Sequence, residues 1–317
     1  MRIFVTGAGG FVGKWLCLEL LSRGHEVLGA VRTPEDVDAI PDVWRDKLRD
    51  VSWLAVEMLD AVAVEEALRR RPDAVIHLAA VSSGSQARSQ PVMAWGANVL
   101  GTCTLVYAME RLGIEARLVL ASTGEVYGAE LTRPARETDP VRPISPYAAS
   151  KAAAEEAVME YHRRLGSEVV IARPFAQTGP GQREQFVVAA FIHRILNAQR
   201  EGASEVTVGN LEPIREFMDV RDVTAALSLL AESERADGVY NIATGAGTSL
   251  QELFALIRNE VGWTGEPHID SQLLRKGDVP YLVGDGARII ELGWSPVYDL
   301  RATIRDTIED ARAHLTY

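Results

Sequence analysis

Apolar residues follow two rhythms along this chain. Short, mostly apolar runs fill residues 2–5, 25–31, 51–56, 74–80, 118–122 and 169–175. Runs of this length, bounded by glycine and polar clusters, predict strands buried on both faces. Between them, apolar positions return every three or four residues, as on one face of a helix. One such helix ends near Gly24, and another opens at Asn98 and carries Val106, Met109 and Leu112. Further helices are predicted from Tyr147 onward, over 185–199, and from Leu300 to the C-terminus. Strands alternating with helices, without hairpin signals, predict an α/β fold built on a parallel, doubly wound sheet.

The first strand runs into Thr6-Gly7-Ala8-Gly9-Gly10-Phe11-Val12-Gly13 and then into a helix. Strand, glycine turn and helix bring a pyrophosphate onto a helix N-terminus. With no side chains at Gly7, Gly10 and Gly13, the backbone N–H groups of the turn, through Phe11 and Val12, can approach the phosphates. A dinucleotide on a Rossmann sheet is therefore expected. An NAD site usually ends its second strand with an acid that grips the ribose hydroxyls. Here that strand ends Gly29-Ala30-Val31-Arg32, with no acid before Glu35. A guanidinium at Arg32 matches a 2′-phosphate, so NADP(H) is preferred, with NAD(H) as the alternative. The competing reading of Arg32 is a solvated loop arginine. Asp60, just after the third strand, is placed to contact the adenine edge. Ligands on such sheets bind beyond the carboxyl ends of the strands, where Gly7, Ala80 and Thr123 fall. His77 reads as packed or backbone-bonded rather than catalytic.

Composition narrows the partners. The 317 residues carry a net charge of −11 and no basic block, so neither nucleic acid nor an anionic membrane is expected to bind. Hydrophobic residues make up 47%, which excludes a disordered chain. No stretch approaches 18 uninterrupted apolar residues, and the N-terminus opens into a strand without a charged leader. Cys17 and Cys103 make no disulfide framework, which suits a reduced, cytoplasmic protein. No metal site is expected.

Candidate chemistry is concentrated in Ser145-Pro146-Tyr147-Ala148-Ala149-Ser150-Lys151. Pro146 is tolerated in a first helical turn, and Tyr147 and Lys151, four apart, share a helix face. A nearby ammonium stabilises a phenolate, which should bring the phenol into a useful range for proton transfer.

The glycine turn, His77-Leu78-Ala79-Ala80, Ser122-Thr123 and Tyr147-x-x-x-Lys151 together resemble the extended short-chain dehydrogenases/reductases, the NAD(P)-dependent sugar epimerases and dehydratases. The resemblance implies that Thr123 hydrogen-bonds the reacting oxygen, that Tyr147 gives or takes its proton, and that Lys151 holds the nicotinamide ribose and tunes Tyr147. It also implies cofactor contacts from Leu78, Ala79, Ala80 and Arg173, and support from Asn98.

In the second half, the segment from Val208-Gly209-Asn210-Leu211-Glu212 to Arg215-Glu216-Phe217 is similar to the family's nucleotide and diphosphate segment. Leu274-Arg275-Lys276-Gly277-Asp278-Val279-Pro280 resembles its run for the diphosphate and nucleotide ribose. The resemblance implies substrate contacts from Ser82, Gln182, Val208, Asn210, Arg215, Arg275 and Asp278. It points to a GDP-linked sugar, with two branches in competition. One is a 4,6-dehydratase, and the other a ketoreductase that makes a GDP-6-deoxyhexose such as GDP-D-rhamnose. Gly179-Pro180-Gly181-Gln182 and the 274–280 run resemble the ketoreductase more. Two departures stand out: Ala176 replaces the usual Asn, and Gly124 stands where many dehydratases have the Asp of an Asp-Glu pair. Glu125 remains and keeps the dehydratase as the alternative.

No linker divides the chain. A dinucleotide-binding domain over 1–172, with a return near 215–242, is expected to interleave with a substrate lobe over 173–317. Small and apolar residues on the helices from Asn98 and from Tyr147 suit a homodimer, although such a face can equally be buried within one subunit.

Overall fold

The structure is a computed structural model, and it describes residues 1–273 and 279–315. In chain order the first strands are β1 (Arg2–Thr6), β2 (Glu26–Val31), β3 (Ser52–Ala55), β4 (Ala74–His77), β5 (Arg117–Ala121) and β6 (Val169–Pro174). Then come β7 (Ala176–Thr178), β8 (Glu205–Val208), β9 (Ile214–Asp219), β10 (Gly238–Ile242), β11 (Gly247–Ser249), β12 (Glu266–Ile269) and β13 (Tyr281–Leu282). The main sheet runs β10-β6-β5-β4-β1-β2-β3, and every pairing in it is parallel.

The runs are mostly apolar because both faces of this sheet are covered. Ile3, Val5, Ile76 and Val119 face one side with Leu16, Leu20, Val223 and Leu227. These come from the helices Phe11–Ser22 and Val220–Glu232. Phe4, Val75, Leu118 and Leu120 face the other side with Val64, Leu105, Met109 and Val158. Strand order reverses between β1 and β4, and that switch point opens the crevice in which such sheets take ligands.

Asn98 does not open a helix. It lies inside a π-helical turn, Gly96–Leu100, which joins Pro91–Trp95 to Gly101–Leu112, with the Gly101 N–H reaching back to the Gly96 carbonyl. By length and composition the joined run Pro91–Leu112 could cross a membrane. Here it packs Leu105 and Met109 against the sheet.

In the smaller lobe, β9 pairs with β7, β11 and β13, and β8 pairs with β12. Helices Val187–Glu201, Leu250–Val261 and Leu300–Leu315 enclose a second core of Phe191, Ile192, Phe254, Trp263 and Ile304. Glu216 of β9 is fully buried and fastens this lobe to the segment after β10. It accepts hydrogen bonds from the N–H groups of Thr244, Gly245 and Gly284 and from the Thr244 hydroxyl. A buried carboxylate left without such donors would be costly.

Candidate active site

The cleft beyond the carboxyl ends of the strands is built first from the Tyr147 helix, Pro146–Leu165. Ser145 caps it, its hydroxyl accepting the Ala148 N–H at 3.1 Å, and Pro146 fills the first helical position. Ser150 donates to the Tyr147 carbonyl and accepts from Asn98 Nδ2, at 2.7 and 2.9 Å. The other end of the Asn98 amide accepts the Val81 N–H at 2.7 Å. Asn98 therefore ties the loop after β4 to the turn that carries Tyr147.

The glycine turn fits a pyrophosphate. Gly7 has φ +70°, and a Cβ there would stand 2.9 Å from the Ala79 nitrogen. A Cβ on Gly13 would stand 2.2 Å from the Gly7 carbonyl. The helix Phe11–Ser22 begins with no side-chain cap and no acid in its first turn. Its first N–H groups, at Phe11 and Val12, are thus available to an anion. Arg32 lies exposed just past β2, its Nε 3.9 Å from Asp36. Asp60 caps the helix Ala61–Leu68 through the Val62 and Ala63 N–H groups.

His77 is fully committed. The Ala79 N–H donates to Thr6 Oγ1 (3.1 Å), and Thr6 Oγ1 meets His77 Nδ1 (2.7 Å). His77 Nε2 meets Thr102 Oγ1 (3.0 Å), which donates to the Asn98 carbonyl (2.7 Å). Because the Thr102 hydrogen goes to Asn98, Nε2 must carry a proton, and in the neutral ring Nδ1 then accepts from the Thr6 hydroxyl. Burial, helped by the nearby Lys151 charge, pushes the imidazole down to about 3. The ring is packed as expected, but bonded through side chains rather than backbone.

Thr123, Glu125 and Tyr147 come together, and Lys151 follows one turn after Tyr147 on the same helix. Thr123 Oγ1 accepts the Glu125 N–H at 3.2 Å, and a Thr123–Tyr147 side-chain hydrogen bond favours the phenolate. Burial, reinforced by the Glu125 charge, nonetheless pushes the Tyr147 phenol well above its ordinary value. The expected lowering of the phenol by Lys151 is not met: burial dominates, and the one lowering influence is the Thr123 hydrogen bond. Tyr147 therefore stands protonated, as a donor. Lys151 is 2% exposed, and burial brings its ammonium down to about 8, with Glu155 pulling the other way. Burial raises the Glu125 carboxyl, while Arg215 and Arg88 act against that shift.

Several expected site residues are differently employed. Arg173 is buried in a bidentate pair with Glu155, at 2.9 and 2.6 Å, and donates to the Tyr127 hydroxyl, which leaves no free fork for a cofactor. The Gln182 side chain is spent within its own loop, donating to the Gln177 carbonyl and accepting from Thr178. Val208 is wholly buried in the second core. Asn210 Oδ1 accepts the Glu212 N–H. Ser82 is exposed at the cleft loop, beside the partly buried Leu78, Ala79 and Ala80. Arg275 and Asp278 lie outside the described residues. Sequence reasoning missed Arg88, Tyr127 and Glu155. Glu155 carried a signal, since it continues the Tyr147–Lys151 spacing by one more turn.

The GDP-mannose 4,6 dehydratase family model matches residues 4–307. GDP-6-deoxy-D-mannose reductase of Pseudomonas aeruginosa is 31% identical over 98% of this chain and 96% of its own length. UDP-glucose 4-epimerase from Thermotoga maritima, solved with UDP-glucose, superposes with a TM-score of 0.88 at 30% identity, covering 99% of this chain and 100% of its own. RMD from Pseudomonas aeruginosa, complexed with NADPH, superposes with a TM-score of 0.82 at 30% identity, covering 99% of each chain. The chain belongs to the GDP-mannose 4,6-dehydratase family of NAD(P)-dependent, extended short-chain dehydrogenases/reductases.

Proposed function

We propose that this chain reduces the C4 ketone of a GDP-4-keto-6-deoxyhexose to a GDP-6-deoxyhexose such as GDP-D-rhamnose, with NADPH as reductant. The reading rests on one observation: a single carboxylate, Glu125, follows Thr123, and Gly124 is packed against the Phe175 ring where a second acid would have to stand. Many dehydratases of the family carry an Asp-Glu pair to remove a proton and expel water, whereas reducing a ketone needs only a proton donor. The similarity to a GDP-6-deoxy-D-mannose reductase and to RMD with NADPH supports the same choice.

The glycine cradle and the helix start at Phe11 would hold the pyrophosphate, Arg32 the 2′-phosphate, and Lys151 the ribose. NADPH, when bound, supplies a hydride. Negative charge then grows on the ketone oxygen, and Tyr147 Oη delivers the proton it holds while Thr123 donates a second hydrogen bond. The Lys151 ammonium stabilises the phenolate left behind. Arg215, close enough to Glu125 to act on its charge, would meet the diphosphate, and with it Arg275.

The dehydratase remains the second reading, because Glu125 stands beside Tyr147 as a base would. We further infer a homodimer through the outer faces of the helices Gly101–Leu112 and Pro146–Leu165. A groove lined by Cys103, Tyr107, Ala153 and Ala157 runs between them. Both cysteines are free thiols, which supports a reducing, cytoplasmic setting. The test is stoichiometry. Incubation with GDP-4-keto-6-deoxymannose should oxidise one NADPH per sugar reduced. Sustained 4-keto sugar production from GDP-mannose, with no net NADPH oxidation, would instead establish the dehydratase.

A further inference from the structure

The reaction proposed above leaves one buried acidic group unused. Glu155 is 6% exposed, one turn beyond Lys151 and two beyond Tyr147 on the same helix. Its Oε1 accepts from the Ser122 hydroxyl and from Arg173 Nε (2.9 Å), and its Oε2 accepts from Arg173 Nη2 (2.6 Å). Arg173 Nη1 donates to Tyr127 (2.9 Å), whose hydroxyl donates to Asn241 Oδ1 (2.7 Å). Asn241 in turn donates to the Ala135 carbonyl (2.8 Å). This array fixes the carboxylate from β5, from β6 and from the segment after Tyr127, independently of the helix that carries it.

The groups around Lys151 make the carboxylate matter. Tyr147 and Glu155 flank it on its own helix. His77 of β4 is close enough to feel its charge, and Ser122, just past β5, and Arg173 of β6 hold Glu155. Tyr147 and His77 are both neutral, for the reasons given above. Two buried cations, Lys151 and Arg173, therefore share one buried carboxylate. Glu155 makes no hydrogen bond to Lys151 among the described residues, so it supplies charge without occupying the ammonium's hydrogens.

We propose that Glu155, pinned by Ser122 and Arg173, is the positioning residue that keeps Lys151 charged and its hydrogens free to meet the cleft's occupant. An ammonium in low dielectric gives up its proton readily unless a fixed counter-charge stands near. A direct Lys–Glu salt bridge would hold the charge but spend the hydrogens. A carboxylate already saturated by its other neighbours separates the two effects. The burial-lowered ammonium agrees, with Glu155 as its one opposing influence.

The proposal rests on Lys151 being the working cation, so the test reads Lys151 without NADPH or sugar. Full-length protein with 13C at lysine Cε is titrated by NMR, with Lys151→Arg assigning the resonance. Glu155→Gln should lower the Lys151 titration by at least about one pH unit, the scale of losing a close opposite charge. NADPH affinity should then weaken at alkaline pH more than at neutral pH. Arg173→Gln removes the like charge and leaves the carboxylate in place, so it should not lower the Lys151 titration. A Lys151 titration that is unchanged in Glu155→Gln, or that falls as far in Arg173→Gln, overturns the proposal. If neither variant folds, Glu155→Asp decides, since it keeps the charge but withdraws it by a methylene. A partial downward shift supports the proposal, and no shift overturns it.

Discussion

Gly124 lies directly against the ring of Phe175: a Cβ built on it would stand 2.7 Å from Phe175 Cε1. Gly284 closes on the opposite edge, where a Cβ would stand 2.3 Å from Cε2. The ring is held between two glycines and stacks near Tyr127, with centroids 6.4 Å apart. Gly124→Ala should therefore destabilise the fold by about 1–3 kcal/mol, the usual cost of overpacking. Phe175→Leu in the same chain should return part of that loss. Urea denaturation of the two single variants and the double measures the coupling, and additive effects would show that ring and glycine are independent.

Arg32 is expected to distinguish the two dinucleotides. Arg32→Ala should lose about 1–3 kcal/mol towards NADPH, the scale of a charged hydrogen bond, and little towards NADH. Fluorescence titration with both cofactors reads the difference directly. Equal losses would remove Arg32 from the phosphate site.

Arg215 should serve the sugar nucleotide alone. Arg215→Ala should weaken GDP binding by about 1.5–3 kcal/mol while NADPH binding holds. Calorimetric titration with each ligand in turn is sufficient. A GDP isotherm matching the parent would mean the diphosphate lies elsewhere.

Tyr147 and Glu125 should separate in their effects on turnover. Tyr147→Phe removes the proton donor and should lower kcat for ketone reduction by about 10²-fold or more. Glu125→Gln should cost far less, and because it removes a charge that holds the phenol high, Tyr147 should become more acidic. A Glu125→Gln loss as deep as that of Tyr147→Phe would contradict a reductase.

His77 sets an acid limit on stability. Its folded value of about 3 lies below its ordinary 6.5, so between these the unfolded chain binds the extra proton. Its contribution is complete above 6.5 and declines as pH falls towards 3, by up to about 1.4 kcal/mol per pH unit. Acid denaturation followed by circular dichroism should show a shallower slope in that window for His77→Gln than for the parent.

Much of this molecule is legible in its sequence. The strands could be read because burial on both sheet faces leaves no polar interruption, as in Ile3-Phe4-Val5. The cradle and the Tyr147–Lys151 pair could be read because local backbone geometry dictates them. Arg173 is less legible for a physical reason: an arginine at a strand end looks alike in sequence whether it meets a cofactor or a buried glutamate 18 residues earlier. The acidity of the Tyr147 phenol is not legible, because a helical spacing reports proximity to Lys151, whereas the phenol responds more to desolvation. Asn98 reads as a helix start because the polar residue breaks an apolar stripe, and a π turn breaks that stripe in the same way.

That π turn has a geometric consequence. One surplus residue between Gly96 and Gly101 advances the azimuth of everything downstream by about 100°, the rotation of a single helical residue. The upstream part of the run can then aim the Asn98 amide at Val81 and Ser150 while the downstream part keeps Leu105 and Met109 on the sheet. Deleting any one residue from 96–100 would restore a regular ladder of backbone bonds. It would also turn either the amide out of the cleft or the apolar stripe out of the core. The irregularity is a phase adjuster between two obligations that a uniform helix cannot meet together.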